Sequence, residues 1–200
     1  MLILLLWLAN YVIITTIMDS FVMGVLHFRF SMKCRKKEFV ITKKNRIDIQ
    51  NGYQCAGFST AYILRHWNLE TDGNRLYEVI PNKMKDGCVY PKGIRNLLSQ
   101  YGLKATYCAG NIAALKNEVS KGNPVIVMIR TQLDQSGLHY VPVVGYDEQY
   151  FFIAESLDGF VNCNEESYNR KIALREFEQL WNTSTMKMPF YRNTYITAYK

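Results

Sequence analysis

The spacing of apolar and polar residues predicts helices in the first half of the chain. Residues 39–49 alternate only in part and predict a short strand, whereas residues 56–67 carry apolar side chains at helical spacing and predict a core helix. Gly102 predicts the end of a helix that covers residues 94–101, because glycine is common just after the last helical residue. Three further helices are predicted over residues 74–80, 94–101 and 112–120.

The second half of the chain is rich in β-branched and alternating runs. Val125–Arg130 predicts a central strand, and residues 147–149 predict a turn between two other strands. The predicted strands cover residues 104–108, 125–130, 139–146, 150–155 and 192–199, and one more helix covers residues 175–181. Helices followed by strands are the element order of an α+β fold.

Residues 1–26 form an apolar stretch that is long enough to cross a bilayer, although Asn10 and Asp19 interrupt it. A carboxylate at the bilayer centre costs about 2.5–3.5 kcal/mol on insertion scales. No Lys or Arg precedes the stretch and no clean small-residue cleavage motif follows it, which disfavours an ordinary signal peptide. Two interpretations stay open: a membrane anchor, or sequence upstream of a true start at Met32.

The net charge of +7 is concentrated in one segment. Residues 33–46 carry seven basic side chains against one acidic one, so the rest of the chain is close to neutral. A basic run beside an apolar stretch is typical of a membrane flank rather than of nucleic-acid binding. We therefore expect no nucleic-acid partner, and a cytoplasmic domain that is attached to the membrane through residues 1–26, or soluble if the chain starts at Met32.

Five cysteines without any C-x-x-C spacing disfavour zinc-ribbon and thioredoxin-type sites. Their odd number favours reduced thiols and a cytosolic setting. Cys55 differs from the others because it lies where a polar, glycine-containing loop meets the predicted core helix. Unpaired N–H groups and the dipole at a helix N-terminus favour a thiolate, which is the nucleophilic form of cysteine.

His139 is the candidate base for a Cys55 nucleophile. The chain has three histidines; His27 adjoins the apolar stretch, and His66 lies about three turns along the helix that Cys55 opens. His139 instead begins a predicted strand far downstream. Cysteine and histidine in this arrangement predict nucleophilic acyl transfer.

Gln50, Cys55, the run His139-Tyr140-Val141 and Glu155 follow one another in an order that resembles the papain-like cysteine peptidases. The resemblance is strongest to their bacterial bacteriocin-processing (double-glycine leader) branch and spans about residues 47–196. It implies a papain-like α+β fold in which an N-terminal helical part packs on an antiparallel β-sheet. We expect three parts: an apolar leader or anchor helix at 1–28, a basic linker at 29–46 and the peptidase domain at 47–200.

The resemblance also implies a role for each of these side chains. Cys55 would attack the substrate carbonyl and His139 would exchange the proton. Gln50 would stabilise the oxyanion beside the backbone N–H of Cys55, and Glu155 would orient the imidazole.

Two of these roles have an alternative residue in the sequence. The related peptidases usually have Asp where this chain has Glu155, and Asp147 is the alternative orienting group. Gln54 is the alternative oxyanion donor, although the spacing of Gln50 matches the related peptidases.

The predicted function is cysteine-dependent hydrolysis of a peptide or isopeptide bond in a peptide or protein substrate, with no metal or organic cofactor. The resemblance implies substrates that end in glycine. The departure at Glu155 leaves open an inactive papain-like domain that binds peptides. A thiol acyltransferase that uses the same site with an amine acceptor is a further alternative, and the oligomeric state is open.

Overall fold

The computed structural model describes residues 2–134, 137–184 and 190–200. The helices are α1 (Leu2–Met23), α2 (Cys55–His66), α3 (Gly73–Val79), α4 (Pro91–Gln100), α5 (Ile112–Val119) and α6 (Leu174–Trp181). The strands are β1 (Leu26–Arg29), β2 (Phe39–Val40), β3 (Lys104–Gly110), β4 (Val125–Arg130), β5 (Leu138–Tyr146), β6 (Tyr150–Ile153), β7 (Arg170–Ala173) and β8 (Thr194–Tyr199).

The strands form one sheet in the order β1-β3-β8-β4-β5-β6-β7, with β2 paired to β5. The pairing is antiparallel except between β1 and β3, which run parallel. The predicted α+β class, a helical part packed on a largely antiparallel sheet and preceded by an apolar helix, is confirmed.

The sheet is buried on both faces, which explains why β4 is apolar at consecutive positions. Ile126 and Met128 of this strand belong to the core that contains α2, α3 and α4. Val127 and Ile129 point the other way, into the core that contains Phe177 and Trp181 of α6 and Leu115 of α5. Alternation with period two thus divides one strand between two hydrophobic cores.

Two strands, β1 and β7, were not predicted from the pattern. Each has only four residues and mixes apolar with basic side chains, so pairing with β3 and with β6 defines them rather than hydropathy. The strand expected over residues 39–49 was wrong in length, since only Phe39–Val40 pairs. Beyond it the chain turns toward α2, where Asn45 Nδ2 donates to Tyr62 O at 2.8 Å. The predicted boundary between a basic linker and a peptidase domain at residue 47 stays a prediction. The short strands β1 and β2 lie before this boundary and pair with the sheet.

The start of α2 is fixed by a glycine contact and a cross-link to the sheet. A Cβ on Gly57 would lie 2.3 Å from the carbonyl oxygen of Gly73, so the two helices cross more closely than a side chain allows. One turn after Cys55, Ser59 Oγ donates to the carbonyl oxygen of Tyr140 on β5 at 2.8 Å. These contacts hold the N-terminus of α2 against the residue that follows His139.

The close approach at Gly57 predicts a large effect from a single methyl group. Gly57→Ala should lower the free energy of unfolding by about 1–3 kcal/mol, because Gly73 O belongs to backbone that cannot move away freely. Urea unfolding followed by circular dichroism measures this value. The matched control is Gly159→Ala, whose Cβ would meet open space; equal stability of the two variants would contradict the packing argument.

Candidate active site

Cys55 is the first residue of α2, and no side chain caps this helix end. Gln54 precedes it as the N-cap residue, and its carbonyl oxygen accepts from the N–H groups of Gly57 and Phe58 at 2.8 and 3.1 Å. The N–H of Cys55 has no acceptor within the helix, as at every helix N-terminus. It can therefore donate to a negatively charged oxygen close to the sulfur.

His139 is 2% exposed and lies between the thiol and a carboxylate. Its Nε2 is 2.7 Å from Oε1 of Glu155, and the Cys55 side chain lies close enough to raise the pKa of the ring. Because Nε2 is occupied by Glu155, Nδ1 is the nitrogen left for the sulfur. Folding thus brings together Cys55, His139 and Glu155, which are separated by up to 100 positions in the sequence.

Glu155 is fully buried, and several donors bind its carboxylate. Oε1 accepts from His139 and from the N–H of Leu157 at 2.8 Å, while Oε2 accepts from Nη1 of Arg170 at 2.8 Å. The side chain of Asn169 bonds both the N–H and the carbonyl of Glu155, at 2.7 and 2.9 Å. Backbone and carboxylate are therefore both held in place.

Glu155 and His139 each shift the pKa of the other toward its charged form. Burial alone would raise the pKa of Glu155, but the bond from His139, its positive charge, the Leu157 N–H and Arg170 together lower it. Burial alone would lower the pKa of His139, but hydrogen bonds to Cys55 and Glu155 and their charges raise it to about 9. The carboxylate is thus ionised and the imidazole retains a proton at neutral pH.

Gln50 lies in the loop before α2 and lines a cavity that also contains Cys55 and His139. It is 7% exposed, its N–H donates to Ser156 O at 2.8 Å, and its Oε1 accepts from Ser156 Oγ at 2.6 Å. The amide nitrogen Nε2 donates to Gly52 O, and both Gln50 and Gly52 line the cavity.

The two alternative residues occupy other surroundings. Gln54 has a buried amide oxygen that lacks a hydrogen-bond partner within the described part of the chain, and its side chain is not part of the cavity wall. Asp147 closes the β5–β6 turn, where its Oδ1 accepts from the N–H groups of Gln149 and Tyr150 at 2.7 and 2.6 Å. It is Glu155, not Asp147, that bonds His139.

The cavity is a cleft of about 750 Å³ that contains the Cys55 and His139 side chains in its wall. Most of its other walls are apolar, including Val22 and Met23 from the end of α1 and Val89 from the loop before α4. A cleft of this size accommodates a short extended peptide. The described residues contain no group of three or more His, Cys, Asp or Glu side chains that could hold a metal ion.

The sequence model of the Peptidase_C39 like family matches residues 37–187. The chain belongs to this family. The predicted resemblance to papain-like peptidases of the bacteriocin-processing branch is thereby confirmed. A search of curated proteins found no relative that matches.

Three solved structures have the same fold as this Peptidase_C39-like chain. A putative C39-like peptidase from Bacillus anthracis has a TM-score of 0.62 at 20% identity, covering 80% of this chain and 97% of its own. The peptidase domain of Streptococcus ComA, a bi-functional ABC transporter involved in quorum sensing, has a TM-score of 0.58 at 13% identity. The match covers 78% of this chain and 98% of that domain. A double glycine motif protease from an AMS/PCAT transporter, in complex with the leader peptide, has a TM-score of 0.51 at 16% identity. The match covers 80% of this chain and 96% of that protease. At these identities the likeness shows the fold alone.

Sequence reasoning missed the residues that support the site. Arg170, Asn169 and Ser156 give no spacing signal, because their partners lie in other segments of the chain, 14 to 106 residues away. A basic residue within the short strand β7 would normally be interpreted as solvent-exposed. Arg170 is instead 6% exposed, and its charge is directed at Glu155.

Removing the charge of Glu155 should change the titration of His139. In Glu155→Gln the pKa of His139 should fall from about 9 toward its ordinary value. The hydrogen bond and the negative charge of Glu155 both raise this pKa, and the substitution removes the charge. NMR titration of the imidazole resonances measures this directly, with Asp147→Asn as the matched control. An unchanged His139 pKa in Glu155→Gln would contradict the coupling.

The same raised pKa predicts how stability depends on pH. A group with a raised folded pKa stabilises the protein fully below its ordinary value of 6.5, and this contribution disappears as pH rises through about 9. The stability difference between wild type and Glu155→Gln should therefore be larger at pH 6 than at pH 10. Urea unfolding at both pH values checks the sign.

Proposed function

We propose that this chain is a cysteine peptidase that cleaves a peptide bond through an acyl-enzyme on Cys55. The observation that carries the proposal is the buried His139, which bonds the Glu155 carboxylate and shares the wall of a large cleft with Cys55. A buried imidazole with two such partners is an arrangement suited to proton exchange with a nucleophile.

In the first half of the reaction the Cys55 thiolate attacks the substrate carbonyl carbon. A C–S bond forms, and the π electrons of the C=O bond move to the oxygen. The N–H of Cys55 and Nε2 of Gln50 donate to this oxyanion. When the C=O bond re-forms, the C–N bond breaks, and protonated His139 gives its proton to the departing amine.

In the second half water attacks the thioester and His139 accepts a proton from it. The second tetrahedral intermediate collapses, the C–S bond breaks, and a carboxylic acid leaves. Glu155 keeps the imidazole in one orientation through both halves, and Arg170 keeps Glu155 ionised inside the protein. Substrates that end in glycine, and a leader peptide such as the one named for the AMS/PCAT protease, are the class that the family resemblance favours.

We further propose that α1 anchors the enzyme in a membrane. Residues 3–23 are long and apolar enough to cross a membrane, with a mean hydropathy of 1.6. The 18-residue apolar window of this helix is not buried in the protein, whereas Met23 at its end belongs to the core. The basic segment that follows would hold the peptidase domain on the cytoplasmic side. Since Val22 and Met23 belong to the cleft wall, the active site would then lie close to the bilayer surface.

Thiol labelling tests the catalytic proposal without a known substrate. At pH 6, iodoacetamide should modify Cys55 at least about tenfold faster than Cys88, since the thiolate is the reactive form. Cys88 is the internal control, because it lies in the same cleft and burial and Asp86 raise its pKa. His139→Ala should abolish the difference. A Cys55 that reacts no faster than Cys88 would favour the peptide-binding domain.

Hydrolysis of a mixed peptide library, followed by mass spectrometry, completes this test. Gln50→Ala should lower kcat by about 10²–10³, the usual loss for one oxyanion donor, whereas Gln54→Ala should retain activity because its side chain is not part of the cleft. Cys55→Ala should release no product. Transfer products that form only with added amines would identify an acyltransferase.

Membrane attachment is tested by replacing a residue near the middle of α1. Ile13→Lys should move the protein from the membrane fraction to the soluble fraction, because a cation at the bilayer centre costs about 2.5–3.5 kcal/mol on insertion scales. Lys33→Gln, outside the helix, is the control. Wild-type protein that is soluble without detergent would contradict the anchor.

A further inference from the structure

The cleft contains one acidic side chain that the proposed reaction does not use. Among the described residues in its wall, Asp19 is the one that carries a carboxylate, and it comes from α1 rather than from the part of the chain that holds the catalytic residues. Asp19 is partly buried. Together with Val22 and Met23 it forms an i, i+3, i+4 set, which places all three on one face of the helix.

Asp19 has no cationic partner within residues 2–134, 137–184 and 190–200. Two basic side chains lie at this helix end, but neither forms an ion pair with Asp19. Lys92 Nζ donates to Phe21 O at 2.9 Å, and the Arg95 guanidinium lies beside Gly24. Burial, and to a smaller extent the negative charge of Asp19, raise the pKa of Tyr191 to about 12. No hydrogen bond joins the Asp19 and Tyr191 side chains.

The electrostatics of this end of the cleft favour a cation. The C-terminus of a 22-residue helix carries the negative end of its dipole, and Asp19 lies in the last turn but one. The neighbouring walls are mostly apolar, and an apolar surrounding strengthens the interaction of a charge with its partner. An unpaired carboxylate in such a place is stabilised when a ligand brings a positive charge.

We propose that Asp19 determines specificity by selecting substrates with a cationic group near the scissile bond, which deepens the proposed peptidase function and rests on it. The ammonium of Lys or the guanidinium of Arg would pair with the Asp19 carboxylate. The aliphatic part of that side chain would pack along Val22 and Met23. A free α-amino group at the substrate N-terminus has the same chemistry and is the alternative source of the charge.

The experiment compares substrates that differ only in charge. The full chain in detergent micelles is given peptides in which one Lys is moved through the positions around the cleaved bond, beside peptides with uncharged norleucine or with Glu at the same positions. Each peptide is tested with a free and with an acetylated N-terminus. Wild-type kcat/KM should be about five- to tenfold higher for Lys than for norleucine at one position, a ratio typical of a single partly desolvated ion pair.

Variants of Asp19 decide whether this carboxylate is the cause. Asp19→Asn should reduce the Lys-to-norleucine ratio to about one, and Asp19→Lys should reverse it in favour of Glu. Glu148→Gln, which removes an exposed carboxylate outside the cleft, should leave the wild-type ratio unchanged. A preference that depends on the free N-terminus alone would assign the charge to the α-amino group.

A second readout separates failure of this inference from failure of the peptidase proposal. Fluorescence anisotropy gives the Kd of the same peptides for Cys55→Ala and for Cys55→Ala combined with Asp19→Asn, without any turnover. A Lys preference in Kd that Asp19→Asn removes supports the inference even if no peptide is cleaved. Equal binding of Lys and norleucine peptides, or a preference that survives Asp19→Asn, would overturn it while leaving catalysis by Cys55 intact.

Discussion

The geometry of the site depends on a carboxylate that is buried completely and satisfied completely. An ionised group without partners is expensive inside a protein, yet Glu155 accepts from His139, from Arg170 and from the Leu157 N–H. These bonds fix the carboxylate, and the carboxylate in turn fixes the imidazole and keeps it charged. Glu155 lies two residues beyond the end of β6, where the side chain of Asn169 bonds its backbone.

Cys55 and His139 belong to different layers of the molecule, so their approach depends on how α2 packs on the sheet. Gly57 lets α2 cross α3 closely, and the Ser59–Tyr140 bond links the same turn of α2 to β5. Gly57 and Ser59 lie within four residues of Cys55, and Tyr140 is the residue after His139. The close-packed core beneath them fixes this arrangement, and the proposed reaction would require a fixed distance between the two side chains.

The apolar helix α1 is more than an appendage in this fold. Its outer surface is exposed along its length, while its last turns reach the cleft and Met23 is part of the core. The chain then enters the sheet directly as β1. The segment that would contact a bilayer and the segment that would contact a substrate are thus one continuous helix, and this gives the membrane and specificity proposals a common structural basis.

The sequence by itself determined the elements whose signal is local. β4 was predicted with its observed bounds, the start of α2 to within one residue, and Cys55, His139, Glu155 and Gln50 were selected from their order along the chain and their resemblance to known peptidases. Only the tertiary structure decided what depends on distant partners: the strands β1 and β7, the burial of Arg170, the choice of Glu155 over Asp147 as the partner of His139, and the entry of Asp19 into the cleft. The physical reason is that periodicity reports which face of an element is buried, whereas a hydrogen bond between loops many residues apart leaves no periodic trace in either of them.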